Sequence, residues 1–140
     1  MSLEAVQQEI VDEFAIFDDW MDKYNYLIEL SNDLPEMETK HKTEDNLIEG
    51  CQSKVWLHAE MDGDKLVFKA DSDAIITKGI IALLIRVLNE RTPAEIKNAD
   101  LHFIDDIGLK ENLSPTRSNG LLAMVNKIKA YAMAYEMKQG

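Results

Sequence analysis

Cysteine is nearly missing from this chain. Cys51 is the sole thiol in 140 residues, and only three prolines and six glycines accompany it. One thiol excludes an internal disulfide framework and cannot supply a thiolate metal cluster. Apolar runs are short too. The longest, Ile75 to Leu88, is interrupted by Lys78 and Arg86 and falls short of the roughly 20 residues that a bilayer requires. Basic residues are outnumbered, 15 against 26 acids, for a net charge of −11. Phosphate backbones and anionic membrane surfaces both attract basic footprints, so neither nucleic acid nor membrane is an expected partner. Repeats, low-complexity segments and glycine-rich phosphate loops are lacking.

What remains describes one small α+β domain spanning residues 1–140. A hydrophobic content of 46% with 29% charge suits a folded chain, and 140 residues suffice to close a single core. The acidic, amphipathic start is unlike a signal or transit peptide, and a lone cysteine suits a reducing compartment, so the expected location is cytoplasmic.

The acidity is local. Residues 1–50 hold 14 Asp and Glu against 3 Lys, while residues 51–140 hold 12 of each sign. Such a face either steers a basic partner or simply solvates the helices.

Periodicity places the elements. Leu3, Val6, Ile10, Phe14 and Phe17 form one helical stripe. Asp18 or Asp19 caps a second helix carrying Met21, Tyr24, Leu27, Ile28 and Leu30, stopped near Leu34-Pro35. Residues 36–46 read as a polar loop containing an idle His41. A short first strand is expected over Asn46 to Glu49. Alternation of Val55, Leu57, Ala59 and Met61 marks the next strand, and Asp62-Gly63 turns it into a hairpin partner over Lys65 to Ala70. Asp73 is placed to cap a buried helix from about Ala74 to Asn89. Thr92-Pro93-Ala94-Glu95 is a capping box, a short turn or helix follows near Asp106 to Asn112, and Ser114-Pro115-Thr116 opens a last helix with a stripe through Leu121, Leu122, Val125, Ile128, Ala132 and Tyr135. The expected architecture is therefore helices packed on a small three-stranded antiparallel sheet.

Cys51 sits at the junction between loop and strand. Most lone cysteines are small buried hydrophobes. Here Gly50 permits a tight bend just before the thiol, and a strand directly after it offers a rigid support. No histidine lies near it in sequence, and His58 and His102 read as ordinary surface or packing residues.

The residues Gly50-Cys51-Gln52-Ser53, followed by Val55-Trp56, resemble the signature of the SufE family. Asp71-Ser72-Asp73-Ala74, Lys78-Gly79, Thr92-Pro93 and Ser114-Pro115-Thr116-Arg117-Ser118-Asn119-Gly120 follow in that family's order and spacing. The run Trp20 to Leu30 with Leu34-Pro35 also matches, so the resemblance covers about Phe14 to Ala130.

It implies a SufE/NifU-like fold and a sulfur acceptor for a cysteine desulfurase. Cys51 would take persulfide sulfur from a SufS-like enzyme, stimulate it, and pass sulfur to iron–sulfur cluster assembly on a SufBCD-like scaffold. Pyridoxal phosphate would belong to the desulfurase, and no cofactor is expected in this chain. A homodimer is compatible with the resemblance. Arg117, at the start of the last helix, would favour a nearby anion if the fold brings it to Cys51. Asp73 would either bind backbone near the Cys51 loop or act as a plain cap, and Gln52 and Ser53 would hold the loop by hydrogen bonds. The alternatives are a CsdE-like carrier for a parallel desulfurase pathway, or a single-cysteine redox or adaptor protein.

An exposed persulfide carrier would lose its sulfur to small thiols. Val55, Trp56 and the last helix are therefore expected to shelter Cys51, raising the thiol's pKa. The loop led by Gly50 would then move for delivery.

Overall fold

The computed structural model describes residues 1–139. Helices α1 (Leu3–Phe14) and α2 (Trp20–Ser31) come first, followed by 3₁₀ turns at Thr39–His41 and Glu44–Asn46. Strands β1 (Val55–Asp62) and β2 (Lys65–Ser72) form an antiparallel hairpin. Four helices close the chain: α3 (Ile75–Leu88), α4 (Pro93–Lys97), α5 (Phe103–Asp106) and α6 (Pro115–Gln139).

The caps obey local chemistry. Asp19 accepts from the Asp22 N–H at 2.9 Å and starts α2, while Thr92 and Glu95 complete a reciprocal capping box on α4. Asp73 does not cap α3. Its N-cap is Ala74, without a side-chain hydrogen bond, and the Asp73 carboxylate is engaged elsewhere.

The sheet has two strands where three were expected. Residues 46–49 reach β1 only through a Leu47–Trp56 bridge and an Ile48 N–H donated to the Val55 carbonyl at 2.9 Å. Gly50, at φ +95°, then turns the chain away. Further along, the edge carbonyls of β1 have other partners: the Tyr131 and Tyr135 hydroxyls of α6 donate to Leu57 and Ala59 at 3.4 and 3.1 Å. Two tyrosines thus do part of what a third strand would do.

A single core joins the helices to the hairpin. Val55, Leu57 and Ala59 face it from β1, Leu66, Phe68 and Ala70 from β2. On α3 the buried residues surround most of the circumference, so the helix lies between the hairpin and α1, α2 and α6. Gly79 makes the close crossing with α2 possible, because a Cβ there would lie 2.3 Å from the Leu27 carbonyl oxygen. On α6 the buried stripe runs Leu121, Met124, Ile128 and Ala132, at intervals of three and four. Leu122, expected on that stripe, is exposed, as is Met21 on α2.

Polar contacts lock α1. Arg86 binds Glu13 with both terminal nitrogens and reaches Glu9 at 2.8 Å, which explains a charge in an otherwise apolar helix. That guanidinium, against some opposing burial, holds the Glu13 carboxyl below its usual range. Gln7 is fully buried; its amide donates to the Asp100 carbonyl at 3.0 Å and accepts from the Phe103 N–H at 3.1 Å. His102 bridges Asp106 and Glu4, each at 2.5 Å.

Candidate functional site

The loop holding Cys51 is clasped from the far end of the hairpin. Lys54 N–H donates to Asp73 Oδ1 at 3.0 Å, and Asp73 N–H donates back to the Lys54 carbonyl at 3.1 Å. The Ser72 hydroxyl donates to that same carbonyl at 2.9 Å. Of the two placements open to Asp73, the loop contact is the one adopted. Gly50 bends the other end of the loop against α6, where its own Cα hydrogen faces Ala123.

Between these anchors Cys51 is half-buried and packs against the core. Its Sγ lies 3.6 Å from the Gly120 carbonyl oxygen, a weak S–H donor contact. Burial pushes the thiol's pKa up, so the resting group is the neutral thiol and not the nucleophilic thiolate. The shelter comes from α6. Val55 points into the core, and the Trp56 ring lies by Lys42 instead.

Cys51 opens onto a pocket of about 380 Å³. Gln52 and Ser53 line it from the loop, Thr77 from α3, and Ser114, Thr116 and Arg117 from the start of α6. Arg117 therefore shares the cysteine's pocket, because the first turns of α6 pack against the loop. Among the described residues no carboxylate pairs with its guanidinium, so its charge remains available. Ser114 is occupied as a cap, accepting from the Arg117 N–H at 3.3 Å. Among the described residues Gln52 and Ser53 make no side-chain hydrogen bond that holds the loop; Ser72 and Asp73 do that work.

Thr77 lies outside every motif named above, and Gly120 enters there only as the last residue of the Ser114–Gly120 motif. Thr77 is the one hydroxyl residue within α3, and a polar position on an aliphatic helix was the available signal. Gly120 leaves room for the thiol, since a Cβ there would sit 3.6 Å from Sγ.

Among the described residues no histidine lines the Cys51 pocket. His41 is half-buried, not idle in solvent, and stacks on His58 with ring centroids 4.0 Å apart. Among the described residues no group of three or more His, Cys, Asp or Glu side chains converges to hold a metal. Among those residues, too, no helix is long and apolar enough to cross a membrane.

A single unpaired thiol, sheltered beside one guanidinium, matches the motif order already noted. A family model described as SufE, Fe-S metabolism associated domain, matches residues 8–132. The chain belongs to the SufE family. It is 40% identical over 129 residues to an uncharacterized SufE-like protein of Rhizobium meliloti, covering 89% of this chain and 92% of the relative. A SufE-like protein of Rhizobium etli is 40% identical over 133 residues, covering 91% and 90%. The solution structure of a hypothetical protein from Thermus thermophilus shares the fold, with a TM-score of 0.75 at 21% identity over 92% of this chain and 94% of that one. Membership in the SufE family ties the chain to Fe–S metabolism.

Proposed function

We propose that this protein is a persulfide carrier that takes sulfur on Cys51 from a pyridoxal-phosphate cysteine desulfurase. The observation that carries this is the placement of the chain's only thiol in a pocket shared with a guanidinium that no carboxylate among the described residues pairs. In the net step the donor persulfide and the Cys51 thiol exchange one sulfur. The donor's S–S bond breaks and a new one forms at Cys51 Sγ. The Cys51 proton passes to the donor's departing sulfur, and nothing is oxidised or reduced overall. Attack requires the thiolate, so the partner must open the loop or lower the thiol's pKa as it docks.

Clearing the donor's persulfide stimulates the desulfurase, and the carried sulfur goes on to an iron–sulfur scaffold complex in the cytoplasm. The pyridoxal phosphate stays with the desulfurase, and the carrier requires no cofactor of its own. Arg117 stabilises the anionic forms of the sulfur, and Asp73 with Gly50 sets how readily the loop opens.

The test is incubation with a SufS-like desulfurase and cysteine, followed by mass analysis of the Cys51 peptide. Gain of one sulfur atom on Cys51, lost in Cys51→Ser, is the expected result. Full stimulation of the desulfurase by Cys51→Ser would instead make the protein an adaptor.

A further inference from the structure

Thr77 is only 8% exposed, yet it lines the Cys51 pocket. A threonine inside a helix commonly returns its hydroxyl to a carbonyl one turn back. Ser31 behaves in this way toward Ile28 at 2.5 Å, whereas Thr77 donates to no protein group among the described residues. Every fully enclosed side-chain polar atom among those residues has a partner. The Thr77 hydroxyl has none, so its oxygen is not fully enclosed, and the space that this residue lines is the Cys51 pocket. A nearly buried donor left without a protein acceptor is costly unless something else accepts from it.

The pocket treats the two states of Cys51 differently. An empty thiol carries a proton, and the Gly120 carbonyl oxygen at 3.6 Å receives it. Hydropersulfides are stronger acids than their parent thiols, because the second sulfur weakens the S–H bond and spreads the charge. A loaded Cys51 thus presents an anionic outer sulfur, which needs donors. Arg117 is the one charged residue on the pocket wall, and the positive end of the 25-residue α6 lies beside it.

We infer that Thr77 is a sulfur-binding residue, its hydroxyl donating to the outer anionic sulfur of the Cys51 persulfide while Arg117 and the α6 N-terminus balance the charge. This deepens the carrier function proposed above and rests on it. The hydroxyl would make the pocket selective for the loaded state. The bare thiol is held by an acceptor, the persulfide by donors.

Chemical loading with inorganic polysulfide tests this without a partner enzyme, so its outcome is separable from that of the desulfurase assay. The pH dependence of alkylation is measured for loaded and unloaded Cys51 in wild type, Thr77→Val and Thr77→Ser. Thr77→Val is nearly isosteric, and Thr77→Ala provides a second variant should valine impair folding. Loss of a hydrogen bond to an anion is expected to lower the persulfide's acid dissociation constant about tenfold in the valine and alanine variants. Thr77→Ser should keep the wild-type value, and the profile of the unloaded thiol should not move in any of them. A persulfide profile unchanged by Thr77→Val, or shifted equally by Thr77→Ser, would overturn the assignment.

Discussion

The Cys51 thiol rests 3.6 Å from the carbonyl oxygen of Gly120, at the one point on α6 where a side chain is lacking. Gly120→Ala places a methyl group at ordinary contact distance from Sγ, 3.6 Å, and from the Cys51 Cα, 4.0 Å. Alanine is also the better helix former, by about 1 kcal/mol. The variant should thus melt at an equal or higher temperature while alkylating at Cys51 several-fold more slowly. Faster alkylation would show that the helix does not shelter the thiol.

Asp73 and Lys54 exchange hydrogen bonds across the root of the Cys51 loop. Asp73→Ala removes one of them, a loss of about 1 kcal/mol. Since the bond holds the loop and not α3, the cost should appear locally. Alkylation of Cys51 is expected to accelerate several-fold with little change in thermal midpoint. An unchanged alkylation rate would mean that the Ser72 hydroxyl and the backbone N–H at position 73 suffice to hold the loop.

Much of this was readable from spacing, because spacing reports on chemistry local to the chain. The Thr92 capping box, the Asp62-Gly63 hairpin turn and the alternation from Val55 to Ala59 all concern residues within one or two turns of each other. What escaped depends on long-range pairing. Nothing near Asn46 to Glu49 reveals that Tyr131 and Tyr135 occupy the neighbouring edge of β1. The partners of Asp73 likewise lie 19 residues away, so cap and clasp looked alike in sequence. Cys51 was identifiable from its motif, whereas Thr77 required knowing which face of α3 meets the pocket. Gln7 was visible in principle, as a polar residue one turn from Leu3 and on the same buried face as Ile10 and Phe14.

Gly79 is the least replaceable position in the α2–α3 crossing. A Cβ would come within 2.3 Å of the Leu27 carbonyl oxygen, which is backbone and cannot swing aside. Gly79→Ala should force the helices apart and lower stability by about 1–3 kcal/mol despite the gain in helix propensity. Denaturant unfolding reads this directly, and a midpoint equal to wild type would refute the tight crossing.

His102 links α1 to α5 through Glu4 and Asp106. Hydrogen bonds donated by its ring to Asp106 first, then to Glu4, raise its pKa above the usual histidine value. A raised folded-state pKa contributes stability that is fully present below the unfolded value, about 6.5, and is lost as pH rises through the folded value. Wild type should therefore lose stability relative to His102→Asn on going from mildly acidic to mildly alkaline pH. Because the ring is largely at the surface, added salt should shrink the difference. A difference that is flat with pH would mean that the bridge contributes nothing.

Acidic charge in the first 50 residues is not all free to act on a partner. Glu9 and Glu13 are bound to Arg86, and Glu4 to His102. Glu44, Asp45 and Glu49, however, line a groove against Ala123 of α6, next to Gly50 and the thiol loop. All three are exposed. Charges there act on an approaching basic surface over about 8 Å at physiological ionic strength, and their effect is on association more than on residence. Replacing them together by Gln, Asn and Gln should slow association with the desulfurase about tenfold at low salt and flatten its salt dependence, leaving dissociation nearly unchanged. Stopped-flow binding across a salt series separates the two rates. If wild-type association is already insensitive to salt, the acidic edge serves only to solvate the loop.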